Sequence, residues 1–292
     1  MSAGIAYVDG KIMDLAQARV PLLDRGYLMG DGVFETLRTA NGHVFRQAQH
    51  EQRLLKGLKV LNLEGELVDE FRAAVDAMVR EGTRQFGGEL YLRFMVTTGP
   101  QEDVLESGRG ITTTAMAKKF KPYPMQYYSH GLQVVVSKSS RKDSRSPLAR
   151  VKSLSYLPHV VARREALSLT AHDALLLNEH GRVAEASTSN VFAVVDGRVH
   201  APGEAEGAVA GVMRGAVLEA VAEAGLDVVE RLTVEEAARA TEMWLTNTTG
   251  GIVPITRFGD APVGAGRKGD LTTQLSHAIE AELRGPPVAR HA

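Results

Sequence analysis

Ala149-Arg-Val-Lys-Ser-Leu-Ser-Tyr156 sets Lys152 between a Ser/Arg-rich loop and an apolar helical pattern that begins at Leu157. A lysine at such a boundary can be partly desolvated, which favours the neutral, nucleophilic amine. The same position also suits a side chain that simply snorkels to water. N-terminal to this stretch, Phe120–Gly131 carries Pro122, Pro124 and three tyrosines without a clear period, and reads as a linker over residues 120–131. Composition changes across it and divides the chain into residues 1–119 and 132–292.

Before the linker, Asp9-Gly10 and Asn41-Gly42 follow strand-like runs and signal two hairpins. Leu54, Leu55, Leu58 and Leu61 give helical spacing to Gln47–Leu61, and Leu67, Phe71, Val75 and Met78 to Glu66–Glu81. Over residues 90–97, Leu90, Leu92, Phe94 and Val96 share one face, and Tyr91, Arg93, Met95 and Thr97 the other. If that second face is interior, Arg93 needs an anionic partner; otherwise the face is solvated. After the linker, short apolar strands (Leu132–Val136, Ala174–Leu177, Val191–Val195) alternate with helices near Leu157–Leu169 and Gly211–Ala224. Thr233-Val-Glu-Glu236 has capping-box spacing, and Gly285–Ala292 reads as a frayed tail.

The 292 residues contain 44% hydrophobic and 24% charged side chains, which excludes a disordered or fibrous chain. Lys+Arg 34 against Asp+Glu 35 leaves a net charge of -1, with no basic block for nucleic acid or an anionic membrane. No apolar run is long enough to span a bilayer, and the N-terminus lacks a signal-peptide pattern, so a cytoplasmic protein is expected. Zero cysteines exclude disulfides and thiolate chemistry, and nine histidines without ligand spacing give no metal site. Gly264-Ala-Gly-Arg-Lys-Gly269 matches a dinucleotide pattern but lies in a polar loop outside any βαβ unit, and so reads as a loop.

Two segments could bind an anion. Gly211-Val-Met-Arg214 opens a helix, where backbone N–H groups point outward, and Thr246-Asn-Thr-Thr-Gly-Gly251 exposes hydroxyl and N–H groups together. Singly, each also fits an ordinary helix start or tight turn. Glu185, between two apolar strands, needs a cationic or N–H partner if buried, and a protonated pyridine nitrogen would serve.

Read in order, Gly30-Asp-Gly-Val-Phe-Glu-Thr36, His50-Glu-Gln-Arg-Leu54, Lys152-Ser-Leu-Ser-Tyr156, Glu185-Ala-Ser-Thr-Ser-Asn-Val-Phe192, Gly211-Val-Met-Arg214 and Asn247-Thr-Thr-Gly-Gly251 resemble the pyridoxal-phosphate enzymes of fold type IV. That group includes branched-chain and D-amino-acid aminotransferases, (R)-selective amine transaminases and 4-amino-4-deoxychorismate lyase. The resemblance implies an α/β fold, with a small N-terminal domain and a larger C-terminal pseudo-barrel domain. It also implies a homodimer acting on a small-molecule amine and a 2-oxo acid, with pyridoxal phosphate as cofactor. By the same resemblance, Lys152 forms the Schiff base and shuttles the proton, Glu185 pairs with the pyridinium nitrogen, and Tyr156 bonds the phenolic oxygen. Arg53, the N–H groups of Val212 and Met213, and Thr248 hold the phosphate.

The substrate side is less uniform. Tyr91-Leu-Arg93 and Lys-Ser-Leu-Ser-Tyr resemble the branched-chain enzymes, with Phe34 as an apolar wall. Thr249-Gly-Gly251 is closer to the (R)-amine transaminases, and Thr36 and Asn247 to the lyase. The expectation is transamination of an apolar primary amine, foremost a branched-chain or other apolar α-amino acid, with 2-oxoglutarate as acceptor. The lyase and the D-amino-acid or (R)-amine transaminases are the alternatives.

Overall fold

A strand that alternates two faces must find a neighbour whose alternation matches. In the computed structural model, which describes residues 3–63, 67–102 and 110–284, the chain divides into two compact units. The first comprises Met1–Lys121, Val151–Tyr156 and the chain from Leu283; the second comprises Pro122–Arg150 and Leu157–Glu282. The division therefore falls within the segment read as a linker, and the Lys152 stretch groups with the N-terminal unit. The expected tail, Gly285–Ala292, lies outside the described residues.

The first unit runs β1 (Ile5–Val8), β2 (Lys11–Asp14), α1 (Arg25–Met29), β3 (Gly32–Ala40), β4 (His43–Val44), α2 (Gln47–Val60), α3 (Leu67–Phe86), β5 (Leu90–Thr97) and β6 (Thr112–Lys119). Its six strands form one antiparallel sheet in the order β2-β1-β6-β5-β3-β4. Val33 and Leu37 of β3 pack with Leu92 and Phe94 of β5 against Leu54 and Leu58 of α2 and Phe71, Val75 and Met78 of α3. Phe71 meets Phe94 edge to face at 5.2 Å. The third helix extends to Phe86, beyond the Glu81 end that spacing predicts, because Phe86 still packs on this core.

The second unit continues with α4 (Met125–Ser129), β7 (Leu132–Arg141), α5 (Leu157–Ser168), β8 (Asp173–Leu177), β9 (Val183–Ala186), β10 (Asn190–Val195), β11 (Arg198–His200), α6 (Val212–Glu223), β12 (Val228–Val229), α7 (Val234–Ala238), β13 (Glu242–Asn247), β14 (Gly251–Phe258), β15 (Ala261–Pro262) and α8 (Asp270–Arg284). Its mixed nine-stranded sheet has the order β12-β11-β10-β13-β14-β7-β8-β9, with β15 on β14. The sheet curls until β9 packs against β10, giving the pseudo-barrel. The expected linker carries α4, whose Tyr127 and Tyr128 pack with Tyr123 on the barrel core. Tyr123 precedes this helix, between Pro122 and Pro124, so the three tyrosines share no helical period. Thr233 and Glu236 form the expected capping box of α7. Among the described residues, no helix is long and apolar enough to cross a membrane.

Candidate active site

The register of β3 against β5 assembles the first group. Phe34 lies opposite Met95, Thr36 opposite Arg93 and Arg38 opposite Tyr91. Directly paired residues of an antiparallel sheet project to the same side. Phe34, Thr36, Tyr91 and Arg93 thus share the face turned away from α2 and α3. The Arg93 guanidinium lies over the Phe34 ring, 3.8 Å from its centroid. Of the carboxylates on β3 and just before β5, Glu89 pairs with Arg38, and Glu35 with Arg53. Among the described residues, Arg93 makes no ion pair.

Lys152 reaches this face on an extended segment laid along the edge of β3. Phe34 N–H donates to the Lys152 carbonyl and Leu154 N–H to the Gly32 carbonyl, both at 2.9 Å, and Val33 bridges Ser153. The Lys152 ammonium stands 4.4 Å from the centroid of the Phe34 ring, and the Tyr156 ring meets it edge-on at 5.7 Å. Gly30 makes room for the segment. It adopts φ +70°, and a Cβ there would fall 2.6 Å from Ser155 Oγ.

On the opposite face of β3, Glu35 is fully buried under α2. Arg53 Nε donates to its Oε1 at 2.7 Å, and Arg53 Nη2 to its Oε2 at 2.6 Å. His50 Nδ1 lies 2.7 Å from the same Oε2. Burial pushes the Glu35 carboxyl up, but the Arg53 charge and hydrogen bonds from Arg53 and His50 outweigh it and hold it at about 2. Burial is also the main reason that the His50 imidazole is pushed down. Neither Glu35 nor His50 had a role assigned from sequence, although both lie inside quoted motifs.

The second unit carries the remaining predicted residues. Glu185, on β9, is buried and already holds both kinds of partner that its burial requires. Lys142 Nζ donates to Oε1 at 2.5 Å and Val209 N–H to Oε2 at 2.9 Å. Lys142, which also donates to the Ala149 carbonyl, was invisible in sequence, because 43 residues separate it from Glu185. Gly211 supplies no side-chain cap to α6, so no side chain of its own claims the first-turn N–H groups of Val212 and Met213. A Cβ at Gly211 would fall 2.0 Å from Asn190 Oδ1, and this close approach requires glycine. Arg214 turns away from that helix start, to the carbonyls of Ala201 and Pro202 and to Glu230.

Thr248 is buried in the 247–251 turn. Asn247 Oδ1 organises this turn by accepting from Thr249 N–H, Thr249 Oγ1 and Gly250 N–H. Asn247 Nδ2 donates to Ser189 Oγ and to Tyr123 OH, whose hydroxyl also lies 3.4 Å from Thr249 Oγ1. Among the described residues, no group of three or more His, Asp or Glu could hold a metal ion.

A family model described as amino-transferase class IV matches residues 32–258. The branched-chain-amino-acid aminotransferase of Pseudomonas aeruginosa is 31% identical over 284 residues, 94% of this chain and 91% of that protein. The D-alanine aminotransferase of Bacillus licheniformis is 30% identical over 278 residues, 93% of this chain and 94% of that protein. A crystal structure of a branched-chain aminotransferase from Thermoproteus uzoniensis with norvaline superposes with a TM-score of 0.88 at 25% identity, covering 97% of this chain and 96% of that one. The chain belongs to the class IV aminotransferases, and is a pyridoxal-phosphate-dependent enzyme of fold type IV. Its residues fit the cofactor chemically: an amine on Lys152, a buried carboxylate on Glu185, and a helix start at Gly211 with no side-chain cap.

Proposed function

We propose that the enzyme transaminates apolar α-amino acids, branched-chain ones foremost, against a 2-oxo acid such as 2-oxoglutarate. Arg93 carries this reading: a guanidinium stacked on Phe34, without an ion pair among the described residues, on the face that also presents Lys152. An arginine so placed suits a substrate carboxylate, and the Phe34 ring beside it suits an apolar side chain. Thr36, Tyr91 and Thr249 complete the substrate set.

Pyridoxal phosphate, when bound, supplies the electron sink that makes the substrate Cα acidic. The remaining tasks fall to the chain. Lys152 anchors the cofactor and moves the proton to and from Cα. Glu185 keeps the ring nitrogen protonated, and Tyr156 donates to the phenolic oxygen. Arg53, the N–H groups of Val212 and Met213, and Thr248 hold the phosphate. A homodimer belongs to the same proposal, supported by exposed Leu22, Leu23, Tyr27, Leu28 and Met29 in and beside α1, a helix with no buried residue.

The test mixes holoenzyme with both enantiomers of leucine, valine, alanine and an arylalkylamine, follows the cofactor spectrum, and then adds 2-oxoglutarate. Conversion fastest with a branched-chain amino acid, reversed by the oxo acid, is expected. Conversion confined to D-alanine or to an (R)-amine would refute the substrate assignment. So would pyruvate release from 4-amino-4-deoxychorismate without any oxo acid, which defines the lyase.

A further inference from the structure

We propose that Glu35 and His50 are positioning residues for the cofactor's phosphate group, acting through Arg53. The inference rests on the assignment of Arg53 to that phosphate. Arg53 has a long flexible side chain, and a guanidinium grips an oxyanion well only when its plane is fixed. Glu35 fixes it with a two-point fork: its two carboxylate oxygens take Nε and Nη2 at 2.7 and 2.6 Å. Glu35 itself sits mid-strand on β3, where ladder bonds to β5 hold its backbone, and it is fully buried.

His50 fixes the fork in turn. It lies one helical turn before Arg53 on α2, and its Nδ1 meets the same Glu35 oxygen as Arg53 Nη2, at 2.7 Å. Its Nε2 is buried without a hydrogen-bond partner among the described residues. That arrangement leaves Nδ1 as the ring's hydrogen-bonding atom and Glu35 as its target. A buried, shared carboxylate costs stability unless every bond to it is made, so the cluster has little freedom to rearrange.

Electrostatics and positioning predict opposite signs when Glu35 loses its charge. Glu35→Gln makes the surroundings of Arg53 more positive, so charge alone would strengthen binding of a phosphate dianion. Loss of the fork would weaken it.

The experiment titrates the cofactor-free full chain with pyridoxal phosphate and, separately, with pyridoxal, which lacks the phosphate. Wild type, Glu35→Gln, Glu35→Asp, Arg53→Ala and the Glu35→Gln/Arg53→Ala double variant are compared, with the melting temperature recorded for each. Glu35→Asp keeps the charge but draws the carboxylate back by one methylene, and serves if the Gln variant fails to fold. The expected result is weaker binding of pyridoxal phosphate by about tenfold, a change for pyridoxal below about twofold, and no further loss when Arg53→Ala is added. Equal losses for both ligands, unchanged binding, or tighter binding of pyridoxal phosphate would overturn the positioning role. If Arg53→Ala itself leaves the preference for the phosphorylated ligand intact, the phosphate assignment of Arg53 is what fails.

Discussion

Phe34 is only 3% exposed although it stands on the face of the sheet turned away from the helices. Its cover is polar: Arg93 and Lys152 lie over the ring, and Tyr156 stands at its edge. If Arg93 binds the substrate carboxylate, Arg93→Leu should slow the half-reaction with α-amino acids by about 1–3 kcal/mol and leave amines without a carboxylate nearly unaffected. Single-turnover spectra on both substrate classes, with the melting temperature measured alongside, check this. Equal losses for the two classes would leave Arg93 a purely structural role through its stack on Phe34. The alternation of residues 90–97 made Tyr91 and Arg93 face-mates legible in sequence. That Phe34 and Thr36 join them was not legible, because register between β3 and β5 depends on partners about 57 residues apart. Lys142 was missed for the same reason, since no local pattern ties it to Glu185.

Helix α2 and strand β3 are joined by both kinds of contact that a helix makes with a sheet. Leu54 and Leu58 bury apolar surface, and Arg53 and His50 share a carboxylate. The shared group makes the joint sensitive to acid, and both shifts act in one direction. The Glu35 carboxyl, held at about 2 against an ordinary 4.5, contributes stability that is whole above 4.5 and lost as pH falls toward 2. His50, pushed below its ordinary 6.5, contributes stability that is whole above 6.5 and declines as pH drops further. Asp173, raised mainly by burial, acts in the opposite direction, because protonation removes the cost of its buried charge. The melting temperature of cofactor-free protein should therefore fall from pH 7 to pH 5, and by less in a His50→Gln variant, which cannot titrate there. Identical slopes would show that the imidazole is not the sensitive group. The longer elements of the first unit were legible, because α2, α3 and β5 each repeat a local period. The five-residue α1 and α4 were not, being too short for a period to declare itself.

At the scale of the molecule, the apolar side chains around α1 ask for a partner surface. Leu22 and Tyr27 are each 72% exposed, and a stable interface buries roughly 1,200–2,000 Å² in total. The proposed homodimer predicts that the wild type sediments at twice the chain mass and that a Leu22→Glu/Tyr27→Glu double variant shifts toward the monomer. A monomeric wild type would refute it. The change of composition across residues 120–131 suggests a two-part division, but nothing in sequence groups Val151–Tyr156 with the N-terminal unit, since a stretch that pairs with a distant strand carries no local mark of it. That assignment matters during synthesis. When residue 121 has been added at the ribosome, the edge of β3 at Gly32–Phe34 still lacks the backbone groups of Lys152 and Leu154 that will occupy it. An open strand edge invites pairing with other chains. The nascent enzyme must carry it through some thirty further residues of translation, and the segment that ends the exposure is the one that carries Lys152, the amine proposed to anchor the cofactor.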